Sequence, residues 1–105
     1  VTNLAGQWNV RIKTPIGTLS TTYEFVTDGD ALRGSATSKD ETVPLHGITV
    51  TDEPDGRRVR WRQSVTRPMR LHLDFDVLVA GDRMTGHSRA GRLPRSAVTG
   101  VRRGG

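Results

Sequence analysis

The stretch Arg58–Val77, RVRWRQSVTRPMRLHLDFDV, decides the fold. On both sides of Thr66–Arg67–Pro68, apolar residues alternate with charged ones at period two. That alternation marks half-buried β-strands, because successive side chains point to opposite faces. Folding the stretch about Thr66–Arg67–Pro68 sets Val65 opposite Met69, Gln63 opposite Leu71, Trp61 opposite Leu73 and Val59 opposite Phe75. The other face then pairs Ser64 with Arg70, Arg62 with His72, Arg60 with Asp74 and Arg58 with Asp76. Opposite charges across a strand pair contribute about 0.2–1 kcal/mol each. The arginines therefore read as a salt-bridged outer face. Gln63 is the polar residue on an otherwise apolar inward line.

The same alternation runs through the chain, broken by Gly, Pro, Asn and Asp clusters and never by a helical period. Strands are expected at 6–13, 18–27, 30–38, 42–51, 57–65, 69–79, 83–90 and 93–102. The short connections make sequence neighbours antiparallel neighbours in space. Exposed strand edges invite aggregation, and eight strands suffice to close a barrel around a filled interior or one small ligand. The expected fold is all-β: a single small eight-stranded antiparallel up-and-down β-barrel over residues 1–105.

Turn chemistry sets the other registers. Asp28–Gly29 places Phe25 opposite Leu32, Tyr23 opposite Gly34 and Thr21 opposite Ala36. Glu53–Pro54–Asp55–Gly56 places Val50 opposite Val59, Ile48 opposite Trp61 and His46 opposite Gln63. Gly81–Asp82 places Val79 opposite Met84, Val77 opposite Gly86 and Phe75 opposite Ser88. Gly91–Arg92 places Ala90 opposite Leu93, Ser88 opposite Arg95 and Gly86 opposite Ala97. Strand 42–51 carries a conflict. Leu45 wants the inside, while the following turn puts His46, Ile48 and Val50 there. Both hold only if a bulge near Pro44–Gly47 shifts the face.

The connectivity separates two ends. Turns at Asp28, Pro54 and Gly81 share one end with the termini, and the inward residues there form an apolar plug: Trp8, Phe25, Leu32, Val50, Val59, Val77, Val79, Met84 and Val101. The other end has turns at Pro15, Asp40, Arg67 and Gly91 and a mixed inward set that includes Ile12, Leu19, His46 and Arg95. Small residues Gly34, Ala36, Gly86 and Ala97 at mid-barrel are expected to leave room for a ligand. The expected ligand-binding residues are Trp61, Gln63, Tyr23, Thr21, Ser38, Met69, Leu71, Leu73 and Ser88. A mostly apolar pocket with a few convergent polar groups suits a small organic molecule. The competing structural reading pairs His46 with Gln63, lets Arg95 reach water at the rim, and leaves Tyr23 in the core.

Four short motifs resemble the calycin barrels, the lipocalin and avidin group: LAGQW at 4–8, TDGDALRGSAT at 27–37, VRW at 59–61 and VTGVR at 98–102. Similar short barrels occur in bacteria. The resemblance implies a barrel that holds one small, largely apolar molecule, with Trp61 where such barrels carry a ligand-contacting tryptophan. Val10 stands where avidins carry a polar biotin ligand, and the later tryptophan-rich strands are missing, so biotin binding is not implied.

The chain has 105 residues and a formal net charge of +5. Without cysteine it forms no disulfide and no cysteine-based zinc site. It contains no apolar run long enough to span a membrane. Its start does not read as a signal peptide, so a cytoplasmic location is expected unless a leader has been cleaved. No phosphate loop, nucleophile elbow or HExxH is present. His46, His72 and His87 lack metal spacing, so neither metal nor cofactor is expected.

The leading expectation is binding of a small, mostly apolar organic molecule in the barrel cavity, by a monomer or homodimer. The alternative is a cofactor-independent cyclase, isomerase or lyase in the same cavity. There His46 would titrate near neutral pH, Tyr23 would donate a proton and Arg95 would stabilise an anion. A third reading, weak binding of nucleic acid or an anionic surface, would use Arg58, Arg60, Arg62 and Arg67. The carboxylates facing two of these arginines argue against it. Outward Ile16, Leu78 and Val98 are too scattered to define an interface.

Overall fold

Period-two alternation becomes strand almost everywhere in the computed structural model, which describes residues 4–14, 17–29, 31–39, 41–66 and 70–103. Pro15, Ile16, Asp30, Asp40, Arg67, Pro68 and Met69, on which several expectations rested, lie outside the described residues. The strands are β1 Gly6–Thr14, β2 Gly17–Asp28, β3 Ala31–Thr37, β4 Thr42–Pro44, β5 His46–Glu53, β6 Gly56–Val65, β7 Leu71–Ala80, β8 Arg83–Ala90 and β9 Ser96–Arg102. They form one antiparallel sheet in the order β4-β3-β2-β1-β9-β8-β7-β6-β5. The sheet curls into a nearly closed barrel, and among the described residues there is no helix.

Nine strands replace the expected eight because the fourth stave splits at Leu45. Its first part, β4, pairs with β3, and its second, β5, pairs with β6. The Leu45 N–H still donates to the Gly34 carbonyl at 2.9 Å. The chain itself therefore bridges the two edges of the sheet.

The split resolves the conflict in this stave. Between His46↔Arg62 and Thr49↔Arg60 the register shifts, so Gly47 and Ile48 together oppose Trp61. Gly47 has φ +61°, the left-handed conformation that glycine supplies at the first position of such a bulge. One extra residue inverts the faces beyond it. Leu45 is buried, and His46 lies outside beside Arg62 rather than inside opposite Gln63. On the other side of the bulge, Val50↔Val59 stands as expected, but Val50 is exposed rather than buried in the plug.

The remaining registers divide by parity. Val79↔Met84, Val77↔Gly86 and Phe75↔Ser88 match expectation. Two hairpins slide by two residues, which keeps every face and changes every partner. In the first, Asp28 pairs with Ala31 and Gly29, at φ +64°, opens the two-residue loop, so Phe25 meets Gly34 and Tyr23 meets Ala36. In the second, Val65 pairs with Leu71, so Gln63 meets Leu73, Trp61 meets Phe75 and Arg60 meets Asp76.

The last hairpin slides by one residue and inverts a strand. Leu93 N–H donates to the Ala90 carbonyl at 3.0 Å, closing a tight turn. Pro94 follows and has no N–H to give a ladder. Pairing resumes at Ser88↔Ser96, Gly86↔Val98 and Met84↔Gly100. Val98 and Gly100 therefore face in, while Arg95, Ala97 and Val101 face solvent. This corrects the expected inward Arg95, Ala97 and Val101 and the expected outward Val98.

The core fills the end where β1 begins and β9 finishes, and most of the barrel's middle. Trp8, Val10, Phe25, Val59, Val77, Val79 and Met84 are buried there. Each fully buried side chain of this size contributes about 1.5–3 kcal/mol. The Trp8 indole donates to the Leu4 carbonyl at 3.0 Å, and the Arg102 guanidinium lies over its ring at 4.5 Å. Arg102 also donates to the Ala5 carbonyl at 2.6 Å and to Asp82 at 2.9 Å. The first and last strands are thus latched together beyond their ladder.

Candidate functional site

Trp61 and Gln63 both face inward because they are two positions apart on β6. Tyr23 reaches them from β2, which is not a neighbour of β6 in the sheet. Closure of the barrel is what brings the three together. The Trp61 indole N–H donates to Gln63 Oε1 at 3.0 Å, and the Tyr23 hydroxyl donates to the same oxygen at 2.8 Å. Indole N–H groups only donate. The atom facing Trp61 is therefore the amide oxygen, and the NH2 group of Gln63 is turned away from both donors.

Beneath this trio lies an aromatic cluster. Trp61 stacks on Phe75 with centroids 4.9 Å apart and planes at 8°. Phe25 meets Trp61 edge-on at 5.6 Å, and Tyr23 lies 5.5 Å from Trp61 and 6.0 Å from Phe75. Such pairs add about 0.5–1.5 kcal/mol beyond burial. Burial drives the Tyr23 phenol above its ordinary range, an effect only partly offset by its bond to Gln63.

The small residues do not open mid-barrel space. A methyl on Gly34 would lie 2.8 Å from Leu45 Cδ1 and 3.2 Å from the Phe25 ring. One on Gly86 would run into the Asp76 carbonyl and the Val77 backbone. These glycines allow close packing, and Ala97 faces outward. Of the four small residues expected to leave room, Gly34 and Gly86 are thus closely packed, Ala36 is buried in the core and Ala97 lies outside.

The expected site residues separate into three groups. Tyr23, Trp61, Gln63 and Ser88 are buried together in the interior. Thr21, Leu71 and Leu73 are half-buried toward the opposite end of the barrel from the plug. His46, Arg95 and Ser38 are exposed, the first two for the register reasons above. Ser38 sits beyond β3, where its N–H and hydroxyl both go to the Glu41 carbonyl, at 2.9 and 3.3 Å. Met69 lies outside the described residues. The proposed acid–base set of His46, Tyr23 and Arg95 therefore does not converge. Val43 and Val65 join the half-buried inner wall, while Leu45 packs into the core beside Gly34 and Phe25. The period-two parity of strands β4 and β6 carries that signal in the sequence.

Two surface concavities, of about 630 and 470 Å³, are lined mainly by outward side chains. The first lies between Arg11 and Arg83, and the second holds Arg60, Arg62, Asp74, His87 and Arg89. Arg58 bridges Glu53 at 3.2 Å and Asp76 at 3.1 Å, and Arg60 reaches Asp76 at 3.2 Å. Asp76 thus replaces the expected Asp74 as the partner of Arg60. Among the described residues no three His, Asp or Glu side chains gather as a metal site, and no helix is long and apolar enough to cross a membrane.

No protein-family model and no curated protein matches this chain.

Proposed function

We propose that the protein holds one small, mostly apolar organic molecule at the open end of the barrel, above the Tyr23–Gln63–Trp61 trio. The observation that carries this reading is a difference in burial along one strand face. On β2, Phe25 at the plugged end is 1% exposed, whereas Leu19 at the open end is 46% exposed. Leu19 pairs with the buried Ile12, and toward the same end of β6 and β7 the inward Val65, Leu71 and Leu73 are only half-buried. Apolar side chains that line an inner wall yet remain in contact with solvent gain free energy when an apolar ligand covers them. The resemblance to calycin barrels supports the same reading, since those barrels hold small apolar ligands.

The test is a tryptophan-fluorescence titration with an uncharged naphthylamine probe, at low and high salt. Saturable binding that is insensitive to salt and weakened several-fold by Leu19→Glu is expected. Leu19 is exposed, so that substitution leaves the core intact. A Trp61→Phe variant should lose most of the signal change, because Trp61 is bonded into the trio whereas the Trp8 indole turns to the Leu4 carbonyl. Absence of saturable binding, or binding untouched by Leu19→Glu, would overturn the reading.

A further inference from the structure

We infer that the molecule held at the open end carries an uncharged oxygen acceptor, such as a carbonyl, and that Gln63 Nε2 donates a hydrogen bond to it. The inference rests on the binding site proposed above and names the class of ligand that the site prefers.

The orientation of the Gln63 amide is not free. Turning it over would place its NH2 group against the Trp61 N–H and break the bond at 3.0 Å, leaving two donors face to face. The Tyr23 hydroxyl, at 2.8 Å, occupies the other acceptor position of the same oxygen. With both acceptor positions used, the amide has only its two N–H bonds left to offer.

Gln63 is 4% exposed, yet among the described residues its Nε2 finds no acceptor. Every side-chain nitrogen or oxygen sealed from solvent among those residues does have a partner. Nε2 is therefore not sealed, and it keeps contact with space large enough for water. A donor this deeply placed, with its direction held by two other side chains, is a preorganised recognition group. A ligand oxygen that displaces its water keeps the hydrogen bond, and a ligand without one leaves the donor unpaired. Along the strands the inward side chains next to Gln63 are Val65 and Leu73, with Leu71 and Val43 also half-buried on the inner wall. With no charged side chain among these four, a carboxylate or phosphate would lose its hydration without compensation.

The experiment uses the whole chain labelled with ¹⁵N-glutamine. The sequence contains only Gln7 and Gln63, so the side-chain NH2 signals are assigned with one variant. The probes are acetophenone and its methylene isostere α-methylstyrene. Acetophenone should bind about tenfold more tightly, the ratio expected for one hydrogen bond. It should shift the Gln63 NH2 signals and leave those of Gln7 unmoved. Gln63→Met, which retains length and lacks the donor, should bring the ratio near one. Because that variant also strands two core donors, the wild-type shift is the independent readout should the variant fail to fold. Equal affinity for the two probes in wild type overturns the inference and leaves apolar binding standing. A preference for the ketone with Gln63 signals unmoved overturns the assignment to Gln63. Binding of neither probe overturns both.

Discussion

The Trp61 indole N–H and the Gln63 amide oxygen, two positions apart on β6, form a 3.0 Å hydrogen bond inside the barrel. The bond turns a polar residue on an apolar line into the hub of the interior, because Tyr23 donates to the same oxygen.

Removing the hub should cost more than removing one spoke. Gln63→Leu strands the Trp61 N–H and the Tyr23 O–H, and each unsatisfied buried donor costs about 1–3 kcal/mol. Tyr23→Phe leaves Gln63 with its bond to Trp61 and should cost only about 1 kcal/mol. Urea denaturation of the two variants measures the difference. Equal losses would mean that Gln63 does not serve both donors.

Tyr23 is the chain's only tyrosine, so its ionisation can be followed directly by phenolate absorbance. Burial holds its proton on above the ordinary pKa of 10.0. The unfolded chain releases that proton near pH 10, while the folded chain retains it. Stability from this group is therefore complete below about pH 10 and falls as pH rises beyond it. The native protein should show little phenolate where free tyrosine is ionised. Tyr23→Phe should flatten the alkaline decline in stability relative to wild type.

The bulge and the tight glycine contact make separable predictions. Gly47→Ala forces a side chain into the left-handed conformation and should cost about 1–2 kcal/mol, since the open space there meets only the flexible Arg62 guanidinium. Gly86→Ala drives a methyl into the β7 backbone and should cost at least as much through overpacking, about 1–3 kcal/mol. Thermal or urea unfolding distinguishes these from Gly81→Ala. That position shares the left-handed φ but faces open space, so it should match Gly47→Ala and not exceed it.

Arg102→Lys should be far from neutral. The guanidinium lies over Trp8 and divides its donors between the Ala5 carbonyl and Asp82. A lysine ammonium cannot reproduce that planar fork. A loss of about 1–2 kcal/mol is expected, with a change in Trp8 emission. Unaltered emission and stability would show that the latch carries no weight.

Parity explains how much was legible. Val50↔Val59 and Val79↔Met84 follow from turn residues lying directly between the strands. At Asp28 and at Thr66 the turn lies elsewhere by an even count, so Tyr23, Phe25, Trp61 and Gln63 still face inward with altered partners. At Gly91, Pro94 withholds an N–H and the count changes by one. Arg95 and Val98 then exchange sides. At Gly47 one bulged residue does the same to His46 and Leu45. Two of the three expected catalytic residues were thus lost to single-residue shifts: the clash between Leu45 and His46 announced the bulge but not on which side of it His46 would fall, and nothing local announced the shift at Pro94.

By itself the sequence determined an all-β antiparallel chain and the inward line of Trp61 and Gln63, because side-chain alternation is a property of each strand alone. What Gln63 binds was decided only by the tertiary structure. Tyr23 lies 40 residues away, on a strand that is not its neighbour in the sheet. Their meeting depends on how the sheet closes and on how the strands stagger when it does. Those are collective properties of all the staves, and no turn or local period encodes them. The free donor of Gln63 has the same origin, since its direction follows from the two groups that closure places against its oxygen.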